Sequence, residues 1–282
     1  MNLSIGSVLS RMMDMVRRRL GALVGLAVVY YVLQIILSVM FAGMIGASMM
    51  TMGSASPMDL NLGIGVILGG LVFYVIFLLL YFAQSVAMTH HASPILAPDF
   101  GQSFMVGLKS LLTLFGLTLL MIVAYIAFVI VAGIAALPFA MMGETGSQLF
   151  AVLLLIVSLY FACRLALVMP VIAVDEVKNP ITAIRRSWVL TRGNALKIFL
   201  AYLVFSIILI VALFALFAAF GGSVFALVDP ANGMSAMGSG LIVGMILVFM
   251  LLMIVVYVVM TAFMASLHAA LAGPETVAET FG

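Results

Sequence analysis

Six stretches of the chain are apolar around the whole helical wheel: residues 20–50, 62–88, 111–137, 149–174, 198–220 and 241–271. A hydrocarbon core about 30 Å thick takes roughly 20 helical residues at 1.5 Å each, so every run is long enough to cross a bilayer. Turn chemistry separates them. Gly53, Ser54 and Pro57 follow the first run, Pro138 and the polar segment 143–148 follow the third, and a Gly, Asp, Pro and Asn cluster at 221–240 follows the fifth. Strands of a membrane barrel would alternate apolar with polar residues, which these runs do not. The pattern predicts an all-α polytopic transmembrane bundle, one integral membrane domain over residues 1–282. The first run is about twice as long as a signal-peptide core and lacks a small-residue cleavage site, so it reads as a retained span.

Amphipathic stretches precede the helix pairs. Over 180–192, Ile181, Ile184 and Trp188 share one face while Arg185, Arg186 and Arg192 lie elsewhere on the wheel. Asn179 suits the N-cap of this elbow helix, Pro180 its first turn and Gly193 its C-terminal cap. Over 1–19, Val8, Met12, Val16 and Leu20 form a stripe beside Arg11, Arg17, Arg18 and Arg19. Asp99 is placed to cap a shorter version presenting Phe104 and Leu108, with Lys109 at its end. Such helices lie in the headgroup layer with their cations near anionic phosphates.

The pairs themselves show self-similarity. Tyr81-Phe-Ala-Gln-Ser85, Tyr160-Phe-Ala-Cys-Arg164 and Tyr257-Val-Val-Met-Thr261 each set a polar residue four positions after a tyrosine in the even-numbered spans. Tyr31, Tyr125 and Tyr202 superpose similarly in the odd-numbered ones, which suggests a three-fold repeat of helix pairs.

Composition narrows the class. Hydrophobic residues make up 67% and charged residues only 7%, against about a quarter charged in soluble domains, so a soluble globular protein is excluded. A net charge of +2 is too small to neutralise a run of phosphates, and nucleic acid is no expected partner. The single cysteine, Cys163, permits neither an intrachain disulfide nor a cysteine metal cluster.

The distribution of charge predicts orientation. Ten of the eleven basic residues (Arg11, Arg17, Arg18, Arg19, Lys109, Lys178, Arg185, Arg186, Arg192 and Lys197) fall on one side of the six spans. The opposite loops carry only Asp59, Glu144 and Asp229. This positive-inside pattern puts both termini in the cytoplasm and suits a bacterial inner membrane.

The segment from Arg164 through Met169-Pro170 to Asp175-Glu176, followed by Ala183-Ile-Arg-Arg-Ser-Trp188 and Thr191-Arg-Gly-Asn194, resembles the signature of a bacterial six-helix membrane family. That family is known as the glycerophosphoryl diester phosphodiesterase membrane domain, and related uncharacterised inner-membrane proteins share the pattern. Its name comes from members fused to a separate phosphodiesterase barrel. A (β/α)8 barrel takes about 250 residues, far more than the longest non-spanning stretch here. The resemblance therefore implies architecture, without the enzymatic label.

Candidate chemistry is sparse. Arg164 is the one basic residue within a span, where an arginine faces the bundle interior or snorkels, with Asp175, Glu176 or Gln84 as expected partners and an anion or headgroup as the functional alternative. Pro170 is placed to kink or end the fourth span. His90 and His91 are adjacent, so on a helix they diverge by about 100°; they are expected in a wet loop. His268 stands alone near the end of the last span. Twenty-three methionines could suggest soft-metal uptake, but they recur through nearly all the spans and read as packing. No nucleophile–base spacing, metal motif or phosphate loop appears, so no enzyme, metal or cofactor is expected.

Two functions remain. One is a non-catalytic accessory, scaffold or lipid-interacting component whose basic elbows, with Arg185, Arg186, Trp188 and Arg192, hold anionic headgroups or a protein partner. The other is a transporter or channel for a lipid, amphiphile or small solute, with Gln84, Tyr160, Arg164, Tyr257 and Thr261 converging near the midplane.

Overall fold

The computed structural model describes residues 4–52, 60–96, 98–226 and 239–281. It is helical, with no strand among those residues, and six of its helical stretches are long and apolar enough to cross a membrane. The cluster expected at 221–240 and the turn residues Gly53, Ser54 and Pro57 lie wholly or partly outside the described residues.

Helix α1 (Ile5–Met52) is continuous. From Ile5 onward the amphipathic stretch expected at 1–19 is thus the first part of the spanning helix and not a separate one: no proline or helix-ending glycine interrupts the chain between Arg19 and the span, and Val8 and Met12 of its stripe are buried against protein. Helix α2 (Leu60–His91) runs back beside it. The short α3 (Phe100–Lys109) begins after Asp99, whose backbone N–H donates to Gln102 Oε1 at 3.3 Å.

Helix α4 (Leu111–Ala140) passes through Pro138 before it ends, and Gly143, with φ +72°, opens α5 (Gly143–Leu165). The polar segment expected as a turn forms the start of α5, where Glu144 meets the positive end of the helix dipole. The fourth span breaks after Leu165 and resumes as α6 (Val168–Val174). Pro170 accounts for that break, since its ring crowds the carbonyl four residues back and it lacks the N–H that would bond there.

The elbow α7 (Pro180–Leu190) is capped by Asn179, whose Oδ1 accepts from the N–H groups of Ile181 (2.9 Å) and Thr182 (3.4 Å). Gly193 supplies a left-handed turn, φ +77°, before α8 (Ala195–Ala226). Helix α9 (Ser239–Phe281) departs from helical geometry at Gly273, φ +66°.

Helix α1 packs on α2 and α9, α4 on α5, and α5 on α8, while α6 and α7 wedge among the ends of the spans. The buried side chains gather at this end in three clusters. One joins Leu167, Ile198, Phe205, Phe263 and Leu267; another joins Tyr30, Ala83, Leu114, Val171 and Ala183; the third joins Leu23, Leu26, Met88 and Val258. The far halves of the spans are largely exposed, as apolar surfaces facing lipid tails are.

Candidate functional site

The break between α5 and α6 leaves backbone carbonyls without their helical partners, and α7 lies against it. Small residues on its inner face, Ala183 and Ser187, are fully buried and let the two helices approach. Ser187 Oγ donates to the Arg164 carbonyl at 2.8 Å, and Thr191 Oγ1 donates to the Ser187 carbonyl at 2.8 Å.

Arg164 closes the junction from the other side. Its Nε donates to Tyr160 Oη at 3.2 Å, and its Nη1 donates to the Trp188 carbonyl at 3.1 Å. The guanidinium sits 4.6 Å from the Trp188 ring centroid and 5.5 Å from that of Tyr160. Trp188 also meets Tyr160 edge-on and tilts against Phe161. No carboxylate lies within ion-pair distance of Arg164 among the described residues; aromatic faces and the carbonyl end of α7, the negative end of its dipole, stabilise the charge instead. Asp175, Glu176 and Gln84, its expected partners, are engaged elsewhere or make no bond to it.

Asp175 ends α6 and binds two other helices. One carboxylate oxygen is ion-paired with Arg186 Nε on α7, and the other lies 3.5 Å from His268 Nε2 on α9. Burial pushes the Asp175 carboxyl up, but His268 and Arg186 together outweigh it and hold the group below its ordinary range. Neither nitrogen of the buried His268 has an aligned hydrogen bond, so its relation to Asp175 is one of proximity. Glu176, at φ +48°, turns the chain sharply from α6 toward α7.

The outward face of α7 carries Arg185, and Arg192 is exposed in the turn that follows the helix. Ile181 and Val189, 64% and 63% exposed, share that face, while Ile184 and Trp188 turn toward the bundle.

A second polar group lies among α1, α2 and α9. Gln34 Nε2 donates to Gln84 Oε1 at 3.0 Å, and the Tyr257 ring stands 5.9 Å from that of Tyr81. Thr261 Oγ1 donates back to the Tyr257 and Val258 carbonyls at 2.7 and 3.0 Å, so its hydroxyl is occupied within its own helix. The structure therefore brings Tyr160, Arg164 and Trp188 together, and sets Tyr257 against Tyr81, one turn before Gln84 on α2, but no hydrogen bond or ring contact joins the two groups among the described residues. Gln34, Ser187 and Thr191 carry no site role in the sequence pattern, although Ser187 and Thr191 lie in the family-like segment; the small residues Ala183 and Ser187, one turn apart beside Trp188, were the signal for a closely packed face.

His90 and His91 end α2 in a buried position, not in a wet loop. Both Nδ1 atoms lie 3.1 Å from Ser103 Oγ, and Ser103 itself donates to the Asp99 carbonyl. Arg19 caps the same end: Nη1 donates to the His91 carbonyl at 2.6 Å and Nη2 to that of Leu96 at 3.2 Å. Among the described residues, no group of three or more His, Cys, Asp and Glu side chains is arranged to hold a metal ion.

A family model described as the membrane domain of glycerophosphoryl diester phosphodiesterase matches residues 139–279, which carry Arg164, Asp175, Trp188, Tyr257 and His268. No curated protein and no solved structure matches the chain.

Proposed function

Because the chain belongs to the family of the glycerophosphoryl diester phosphodiesterase membrane domain, we propose that it serves as a non-catalytic, lipid-interacting component of a bacterial inner membrane. Its basic end holds anionic headgroups of the cytoplasmic leaflet. The observation that carries this reading is the outward row Ile181, Arg185 and Val189 on α7, which falls within one face of the helix, with the exposed Arg192 in the turn that follows. A face turned to acyl chains would not present an arginine, and an isoleucine and a valine each more than 60% exposed beside it add apolar area that water does not favour. The headgroup layer accepts both, with the apolar side chains dipping toward the tails and the guanidinium groups meeting phosphates. Arg11, Arg17 and Arg18, also exposed, extend the cationic surface along α1.

The test compares lipid retained by the protein in nanodiscs made from mixed neutral and anionic phospholipids. Wild type is expected to be enriched in the anionic species, less so at high salt. The doubly substituted Arg185→Gln, Arg192→Gln protein should lose the enrichment while melting normally; equal enrichment in both proteins rejects the reading. Orientation has its own check: Arg192→Cys should react with a membrane-impermeant maleimide only after the cells are opened.

A further inference from the structure

Among α1, α2 and α9 the spans bury a set of uncharged polar groups whose bonding capacity is incompletely matched. Gln34 and Gln84 are 5% and 1% exposed, and one hydrogen bond joins them. Two primary amides offer four N–H donors and two carbonyl oxygens. Beyond that bond, the amides make one long contact among the described residues, from Gln84 Nε2 to Met88 Sδ at 3.9 Å.

Tyr257 adds an unmatched hydroxyl. It is buried without an aligned hydrogen bond, although Ser85 stands beside it. Tyr81 and Gln84 are one turn apart on α2, and the Tyr81 ring, 43% exposed, packs on Tyr257 at the lipid side of the patch. A polar hydrogen bond left open inside hydrocarbon is costly, because water is not there to complete it.

We infer that Gln34, Gln84 and Tyr257 form an intramembrane site for the uncharged, oxygen-bearing head of a neutral glycerolipid. The Tyr257 O–H and the spare amide N–H groups require acceptors, which ester carbonyls supply. The Gln34 carbonyl oxygen accepts from a free glycerol hydroxyl. Among the described residues no cation or carboxylate hydrogen-bonds to these three side chains, so the site supplies no counter-charge to a phosphate or an ammonium group. Depth agrees with this choice. Gln84 precedes His91, the end of its span, by about 10 Å of helix rise. A lipid glycerol reaches that level from within the leaflet. This site is independent of the cationic face of α7.

The test places the full-length protein in phosphatidylcholine nanodiscs with a photoactivatable diacylglycerol, and locates the label by peptide mass spectrometry. Label is expected on the segments carrying Tyr81 and Tyr257, displaced by unlabelled diacylglycerol but not by phosphatidylglycerol. Tyr257→Phe removes the hydroxyl alone and should cut labelling about three- to tenfold, the worth of one hydrogen bond, without lowering the melting temperature. Gln84→Leu should act in the same direction; if that protein does not fold, Tyr257→Phe decides the matter by itself. The inference is overturned if wild type takes no label there, which would leave the neighbouring Ser85 as the partner of Tyr257. It is equally overturned if phosphatidylglycerol competes as well as diacylglycerol, or if a stable Tyr257→Phe protein labels as wild type does.

Discussion

Arg164 Nη1 donates to the backbone carbonyl of Trp188 at 3.1 Å while its guanidinium lies 4.6 Å from the centre of the same residue's ring. One side chain of a membrane span thereby grips both the main chain and the aromatic face of the elbow helix. The contact needs a flat, delocalised cation with several divergent donors, which arginine supplies and lysine does not.

Substitution at this position should loosen the elbow. Arg164→Gln removes the cation from two aromatic faces and weakens the bonds to the α7 terminus, at an expected cost of about 1–3 kcal/mol. Arg164→Lys should recover only part of that stability. Thermal melting in one detergent ranks the three proteins. Trypsin cleavage at Arg185 and Arg192 in the folded state should quicken in the same order, and unchanged cleavage would show that α7 is held by other contacts.

The six spans were legible because bilayer thickness imposes a length on any crossing helix, and the apolar runs state that length directly. The break near Pro170 and the cap at Asn179 were legible for a similar reason, since each depends on residues local in sequence. Partnerships between helices were not. Apolar faces look alike in sequence, so nothing in the pattern told Asp175 to join Arg186 and His268 and leave Arg164 to Trp188. Gln34 bonds to Gln84 across two antiparallel spans, a pairing that depends on helix rotation. The continuity of α1 was hidden because its arginines suggested a boundary, whereas backbone hydrogen bonding ignores the charge of the side chains unless a capping residue intervenes.

The Asp175 node makes stability depend on acid pH. Its folded-state carboxyl titrates below the ordinary value of 3.8. A depressed carboxylate contributes stability that is complete above the unfolded value and is lost as pH falls through the lower folded value. Asp175→Asn should therefore destabilise the protein by about 1–3 kcal/mol near neutral pH, where it removes a charged bond to Arg186. The gap in melting temperature between wild type and variant should stay constant down to about pH 4 and then close. A gap that persists unchanged well below pH 4 would mean that the carboxylate's charge contributes nothing.

The seat of α3 on α2 rests on the absence of a side chain at Gly107. A Cβ there would stand 2.6 Å from the Ala83 carbonyl oxygen and 2.9 Å from the Ala87 Cβ, and would also strike the Tyr30 hydroxyl. Tyr30 could swing away, but it is fully buried and donates to the Phe104 carbonyl at 3.3 Å, and the Ala83 oxygen belongs to the α2 backbone. Gly107→Ala must therefore push the two helices apart, and overpacking of this kind costs about 1–3 kcal/mol. Gly101, on the same short helix, has open space at its Cβ position. Gly101→Ala should be neutral or stabilising by up to about 1 kcal/mol, because alanine favours helix. Opposite shifts of melting temperature in these two proteins, measured side by side, are the expected result. Equal shifts would mean that helix propensity, and not the close approach of α3 to α2, governs this corner of the fold.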